Sequence, residues 1–325
     1  MKAIVCTQYG PPELLQFKEI AKPAPKDNEA LVKICVASAN PLDWRLMRGK
    51  PFLVRLFFGL LKPRLEILGS DFAGRVEAVG KDVTQFRPGD EVFGVKSFAG
   101  GAFGEYVCAR EEELASKPAN VSFESAAAVP IAAITALQGL RDKGGIKPGQ
   151  KVLVDGASGG VGTFAVQIAK AFGAEVTAVC STTKMEIARS IGADHVIDYT
   201  RENFTQNGQQ YDLILAANAR HSIFAYRRAL SPGGICVKAG GHPNLQGAFE
   251  DLLVAPILSR MGRKKTRSFI AKGSKSDLVV LQELLESGKI VPVIDRRYPL
   301  SETPEALRYL EEGHARGKVV LTVEH

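Results

Sequence analysis

The sequence predicts an α/β protein of two parts, a β-rich domain followed by a doubly wound parallel sheet. Three observations carry that expectation. The stretch Lys151 to Val179, KVLVDGASGGVGTFAVQIAKAFGAEVTAV, has the pattern strand, glycine turn, helix, strand. Residues 1 to about 120 instead give short apolar runs cut by Pro and Gly, without helical periodicity. The 325 residues are enough for about two domains.

In the first part, strands are expected at Ala3–Cys6, Leu31–Ala37, Ala73–Val79, Glu91–Phe93 and Glu105–Cys108. Gly10-Pro11-Pro12, Lys22–Pro25, Arg87–Asp90 and Gly100-Gly101 separate them, a pattern that suits a barrel or sandwich. After Lys117-Pro118 an alanine-rich helical stretch is expected over Ser125–Leu140. Val152–Asp155 then forms a short buried strand, and Gly156, Gly159, Gly160 and Gly162 form the turn. Thr163–Phe172 puts Phe164, Val166, Ile168 and Ala169 at helical spacing, Gly173 stops the helix, and Glu175–Val179 is the next strand. A helix at Lys184–Ile191, strands at His195–Asp198 and Tyr211–Ala216, and a helix near Ile223–Leu230 follow. Strands at Ile235–Ala239 and Arg267–Ala271 bring the parallel sheet to about six. From about residue 290 the chain returns to β character, and Lys318–Val323 is a strand placed to pair back with the first domain.

The glycines point to a ligand. Such a turn needs backbone angles that side chains resist, and a pyrophosphate must come close to the main chain. The following helix starts with unpaired N–H groups and the positive end of its dipole. The spacing G-x-x-G-G-x-G departs from the simple G-x-G-x-x-G pattern, so the βαβ context carries the reading of dinucleotide binding.

Composition narrows the class. Hydrophobic content of 45% and charged content of 24% are ordinary for a globular protein. No run of ~20 apolar residues suits a membrane span, and MKAIVCTQYG lacks the apolar core of a signal peptide, so a cytoplasmic protein is expected. Cys6, Cys35, Cys108, Cys180 and Cys236 are scattered, which suits small apolar residues in a reducing compartment. The net charge of +7 suits an anionic ligand, and no aromatic-rich basic module suggests nucleic acid.

Further fragments occur in order: MKAIVCTQYGPPELL at the start, SANPLDWRLMRG at 38–49, GSDFAGRVEAVG at 69–80, FRPGDEVFG at 86–94, GGAFGEYV at 100–107, KPGQKVLVDGASGGVG at 147–162 and GHARGKVVL at 313–321. As an ordered set they resemble the medium-chain dehydrogenase/reductase superfamily, in particular its zinc-independent quinone oxidoreductase branch. The nearest subgroup looks like the chloroplast envelope quinone oxidoreductase homologues and the mitochondrial reticulon-interacting reductases. The resemblance implies a GroES-like catalytic domain over 1–122, an NADP-binding Rossmann domain over 123–272, and a C-terminal return over 273–325. It also implies an active site in the cleft between domains.

Zinc-containing relatives carry a cysteine near position 40 and Gly-His-Glu at the next block, where this chain has Asn40 and Gly69-Ser70-Asp71. A catalytic zinc needs about three protein ligands, and a structural zinc lobe needs four clustered cysteines, where only Cys108 stands. The five histidines show no ligand spacing, so no metal is expected. Without a Lewis acid, quinones and conjugated enones are easier hydride acceptors than simple carbonyls, because their new charge is delocalised. Asn40 resembles the family's active-site asparagine beside the nicotinamide, as a donor to substrate oxygen; on residues alone, Asn40-Pro41 is equally a turn. Many quinone reductases carry a tyrosine five residues later, where this chain has Arg45 beside Trp44.

At the end of the second Rossmann strand, Ser181-Thr182-Thr183-Lys184 replaces the acid that would hold an NAD ribose. Hydroxyls and an ammonium suit a 2′-phosphate, so NADPH is expected, with Ser181, Lys184 and Tyr199 matching positions the family uses. Ser181 is equally a helix cap and Lys184 a solvated charge. The resemblance also assigns Ser158, Gly159, Gly160 and Val161 to the pyrophosphate and Thr135 to the nicotinamide. Asn218, Gly240 and Phe269 lie beyond the fourth, fifth and sixth strands, and His314 and Arg316 belong to a block that the family folds over the cofactor.

The expected activity is NADPH-dependent reduction of quinones or α,β-unsaturated carbonyls. Enoyl-thioester or ketone reduction, and a nucleotide-bound scaffold at a membrane or partner surface, are the alternatives, with a homodimer considered as the assembly. Pro51–Lys62, PFLVRLFFGLLK, falls outside the family pattern. With the apolar run Leu252–Met261 it is expected to form a lid over a hydrophobic acceptor; packing into a core, or a membrane-surface role, are the other readings.

Overall fold

The computed structural model describes residues 1–96, 100–240, 254–255 and 262–324. Of the run Leu252–Met261, all but Val254 and Ala255 lie outside the described residues. The chain divides into two compact units, Met1–Ile134 with Lys272–Gly288 and Ile294–His325, and Thr135–Ala271 with Lys289–Val293.

The first unit begins with a small antiparallel pair, β1 (Lys2–Val5) and β2 (Gln16–Glu19). β3 (Glu29–Ala39) is the hub of a seven-stranded sheet. Helices α1 (Pro41–Arg48) and α2 (Leu53–Phe58) follow, then β4 (Asp71–Val79), β5 (Glu91–Val95), β6 (Tyr106–Arg110) and β7 (Leu114–Ser116). Helix α3 (Phe123–Ala128) leads into α4 (Pro130–Leu137), inside which the two units divide.

Unit 2 carries six parallel strands: β8 (Lys151–Asp155), β9 (Glu175–Cys180), β10 (His195–Asp198), β11 (Tyr211–Ala216), β12 (Leu230–Ala239) and β13 (Lys265–Phe269). Their order is β10-β9-β8-β11-β12-β13, with α5 (Gly160–Ala171), α6 (Met185–Ser190) and α7 (Ile223–Arg228) between strands. The chain then re-enters unit 1 as α8 (Lys275–Glu286), β14 (Ile294–Pro299), α9 (Thr303–Glu311) and β15 (Lys318–Thr322). As the sequence led one to expect, β15 pairs with β3, antiparallel, Val319 opposite Ala39.

Ile4, Ile34, Phe72, Phe103, Leu114, Val319 and Leu321 fill the core of unit 1; Leu153, Val179, Ile214, Tyr226 and Leu230 belong to the core of unit 2. Each such buried side chain contributes on the order of 1.5–3 kcal/mol.

Four sequence expectations need correction. The first 120 residues do contain helix. Asn40 stands at the N-cap of α1, Pro41 opens it, the Asp43 carboxylate accepts the Asn40 N–H at 2.7 Å, and Gly49 closes it at φ 60°. Its packed apolar side chains, Leu42, Trp44, Leu46 and Met47, span less than two turns, so capping rather than period marks this helix. Second, Ser125–Leu140 is not one helix: it divides at Pro130, and Gln138–Lys143 widens to a π-turn. There Gly139 lies so close to β11 that a Cβ would sit 2.7 Å from Leu215 Cδ1. Third, the stretch after residue 290 contains α9 between its two strands. Fourth, β2 and β7 were not foreseen; β2 is exposed throughout and β7 has only 3 residues, so neither leaves an apolar signature.

Candidate functional site

Unit 2 gathers one group of expected residues at the carboxyl ends of its strands. Gly156, just after β8, takes φ 83°, a conformation that favours glycine. Gly162 is required by packing, since a Cβ there would lie 2.1 Å from the Gly156 carbonyl oxygen. Gly159 differs: its Cβ would meet only that same oxygen, at 3.6 Å, so the turn is open on its side. Gly159 is also the N-cap of α5, whose first-turn N–H groups, from Gly160 and Val161 on, have no carbonyl within the helix. Ser158 is buried beside them. An open backbone turn beneath a 12-residue helix is an anion cradle, and it fits a pyrophosphate.

The next strand ends complete the edge. Ser181 follows β9, and its carbonyl accepts the Lys184 N–H at 2.9 Å, so both residues share one tight turn. Tyr199 follows β10, half exposed, its N–H bonded to the Cys180 carbonyl at 3.0 Å. Asn218, beyond β11, lies against Gly156. Gly240, beyond β12, donates to the Phe269 carbonyl at 3.2 Å at the end of β13. Thr135 is buried in α4.

Two acids at this edge escaped the sequence reading. Asp198, at the end of β10, pairs in register with Cys180. Its carboxylate accepts from the Thr182 hydroxyl and from the Thr200 hydroxyl (2.7 Å) and N–H (3.0 Å). It is thereby held between the loop after β9 and its own loop after β10. Asp155, at the end of β8, accepts from the buried Tyr226 hydroxyl at 2.5 Å. Burial raises both groups' pKa values; for Tyr226 the adjoining Asp155 charge adds to the rise.

Unit 1 holds the remaining expected residues in two places. The first is built by register around the end of β3. On one side β4 puts Asp71 opposite Ser38, and on the other β15 puts Val319 opposite Ala39, with Lys318 just before it. Asn40, Asp43, Asp71 and Lys318 are all at most 5% exposed. The Lys318 ammonium donates to Asn40 Oδ1 at 2.6 Å and approaches Asp71 Oδ2 at 3.4 Å. The Asn40 amide donates to Asp71 Oδ2 at 3.0 Å and to the Ser38 carbonyl at 3.3 Å. A donor-only ammonium on one end and acceptor-only oxygens on the other fix which way the amide faces. Asp71 Oδ1 accepts the Ile131 N–H at 3.0 Å, and Asp43 accepts from Gly69 N–H at 3.2 Å.

Burial dominates the electrostatics of this cluster. It pushes the Asp71 carboxyl up, against the pull of Lys318, and pushes the Lys318 ammonium down, against the pull of Asp71. Asp43, desolvated and near Asp71, rises to about 7 despite its two backbone hydrogen bonds.

The second place is a cavity of about 450 Å³ lined by Asp295, Arg296, Tyr309, Glu312, His314 and Arg316. Asp295 accepts the Tyr309 hydroxyl at 2.6 Å and the Arg316 N–H at 2.9 Å, and the Arg296 guanidinium lies 3.8 Å from the Tyr309 ring centre.

Comparison with known proteins agrees with this architecture. A family model for the alcohol dehydrogenase GroES-like domain matches residues 26–119, and one described as zinc-binding dehydrogenase matches 191–321. The chain is 33% identical to a chloroplast envelope quinone oxidoreductase homologue of Arabidopsis thaliana, over 99% of this chain and 98% of that one. It is 35% identical to an NADPH-dependent alkenal/one oxidoreductase of the same plant, covering 99% of this chain and 79% of the relative. The crystal structure of Escherichia coli quinone oxidoreductase complexed with NADPH superposes with TM-score 0.83 at 27% identity, over 99% and 100% of the chains. The chain belongs to the medium-chain dehydrogenase/reductase superfamily, quinone oxidoreductase branch.

It is thus an oxidoreductase of an NAD(P)H-dependent family, with a GroES-like domain and a Rossmann-type sheet. Sequence reasoning singled out Asn40 but not the residues that hold it. Asp43 carried a readable signal, the spacing Asn-x-x-Asp of a capping box. Asp71 and Lys318 carried none by spacing, being 31 and 278 positions from Asn40. Arg45 is half buried with its guanidinium 5.5 Å from the Trp44 ring; burial lowers its pKa.

Proposed function

We propose that this chain transfers hydride from NADPH to quinones or α,β-unsaturated carbonyls without a metal ion. The observation that carries the reading is the Lys318 ammonium bonded to the buried amide of Asn40. Reduction places negative charge on the acceptor oxygen, and a quinone or enone delocalises it. The reduced nicotinamide, when bound, supplies the hydride. The chain's part is to meet the developing oxyanion with a fixed donor. Lys318 holds the oxygen end of the Asn40 amide, so its NH2 end is oriented in advance. The bond from that NH2 to the Ser38 carbonyl, at 3.3 Å, is the longer of its two and the one a substrate oxygen replaces. The same ammonium opposes a divalent cation beside Asn40 and Asp71, which supports the metal-free reading.

Selection of NADPH over NADH rests on Ser181 and Lys184 in a tight turn and on Asp198, whose carboxylate is occupied by Thr182 and Thr200. The other cofactor contacts proposed are Thr135, Ser158, Gly159, Gly160, Val161, Tyr199, Asn218, Gly240, Phe269, His314 and Arg316. A screen of NADPH oxidation by chelator-treated protein against quinones, enones, aldehydes and enoyl thioesters tests the reading. Turnover with quinones or free enones is expected. Turnover with thioesters alone, or a rate lost on chelation and restored by zinc, contradicts it.

A further inference from the structure

Among the described residues, 11 large apolar side chains are exposed, and five of them lie in one ten-residue stretch: Phe52, Leu56, Phe57, Leu60 and Leu61. Phe57 is 71% and Leu61 90% exposed, so the core reading of this segment fails for them. The segment is not loose chain. Val54 and Phe58 pack on the core of unit 1, the Tyr9 hydroxyl donates to the Gly59 carbonyl at 2.6 Å, and the Arg64 N–H donates to the Phe58 carbonyl at 2.7 Å. An anchored base thus holds apolar side chains out in water, where a patch of this kind needs a partner.

The charge around the patch says which partner. Residues 45 to 64 contain Arg45, Arg48, Lys50, Arg55, Lys62 and Arg64 and no Asp or Glu. Arg48 is paired with Glu311 at 2.7 Å, and Arg55 lies over the Tyr9 ring. Lys50, Lys62 and Arg64 are exposed, and among the described residues no carboxylate pairs with them. A lid over a neutral acceptor would use the apolar side chains and leave these cations without a purpose. We infer that residues 50–64 dock the protein on an anionic lipid surface, with Phe57 and Leu61 entering the headgroup boundary and Lys50, Lys62 and Arg64 meeting lipid phosphates. Stable peripheral binding needs two signals, and this segment supplies both an apolar insertion and a basic rim. Docking there would give the enzyme access to hydrophobic acceptors dissolved in the bilayer.

The test is co-sedimentation of the full chain with vesicles of phosphatidylcholine containing phosphatidylglycerol, against phosphatidylcholine alone, at low and high salt. Binding is expected on the anionic vesicles only, weakening as salt screens the cations. Phe57→Ser with Leu61→Ser should cost at least tenfold in partitioning. Replacing Lys50, Lys62 and Arg64 by Gln should cost about fivefold per residue. Both variants should keep their melting temperature and their rate with a small soluble benzoquinone, so the assay stands apart from the activity itself. Equal binding to both vesicle types, or none to either, overturns the inference. Loss of kcat/KM for long-chain acceptors in lipid-free buffer, without vesicle binding, also overturns it and identifies a lid.

Discussion

At the carboxyl edge of the parallel sheet, the polar groups on offer are mostly main chain: the turn at Gly159, the first N–H groups of α5, and the carbonyl-pinned turn at Ser181. Around the end of β3 they are side chains, drawn from positions 40, 43, 71 and 318 and nearly sealed from water. Backbone sites tolerate sequence change so long as glycine stands where a Cβ would collide. The side-chain cluster tolerates little, because each member is the partner that makes another's burial affordable. The first arrangement suits a large anionic cofactor. The second suits a charge that appears only during reaction.

The contrast can be broken most severely at Lys318. Lys318→Met leaves Asp71 buried beside Asn40 without a cation, and stability should fall by about 3–5 kcal/mol, read by denaturant unfolding. Adding Asp71→Asn should recover much of that loss. A fall below 1 kcal/mol for the single variant would mean the cluster is not electrostatically coupled.

Next in size is a pH effect. Asp43 has its folded pKa raised to about 7, so the folded state binds the proton more tightly than the unfolded chain. Its contribution is therefore fully present below the unfolded pKa of ~4 and is lost as pH rises through about 7, on the order of 2–4 kcal/mol in all. Asp43→Asn should lower stability generally, since its NH2 meets a backbone donor, yet flatten the slope of melting temperature between these pH values. An unchanged slope would assign the titration elsewhere.

The smaller effects lie at the nucleotide edge. Lys184→Ala should weaken NADPH binding by about 1–3 kcal/mol and leave NADH nearly untouched, measured by fluorescence titration. Equal losses for both cofactors would remove the 2′-phosphate from this turn. Gly159→Ala should fold normally, since its Cβ meets nothing nearer than 3.6 Å, and still lose cofactor affinity. A normal affinity would place the pyrophosphate elsewhere.

The two regions also differ in how far the sequence discloses them. The βαβ unit was legible because its signals are local: a short strand with three successive apolar residues, glycines at fixed offsets, and helical spacing from Phe164 to Ala169. The six parallel strands and the return of β15 to β3 followed from the same kind of signal. Asp198 was hidden because it meets Thr182 only through the pairing of β10 with β9. Lys318 was hidden more deeply, since register on both sides of β3 has to be known before residues 40, 71 and 318 converge. Helix α1 was legible in its caps and overlooked in its period, since its packed face is too short to show one.

The measurement that bears most directly on the account is the single-turnover rate of hydride transfer from saturating NADPH to benzoquinone in Asn40→Ala, alongside its NADPH Kd. If the amide held by Lys318 meets the developing oxyanion, the rate should fall by about 10²–10³-fold while the Kd stays within about threefold. An unchanged rate, or a rate that falls only as far as NADPH binding weakens, would contradict it.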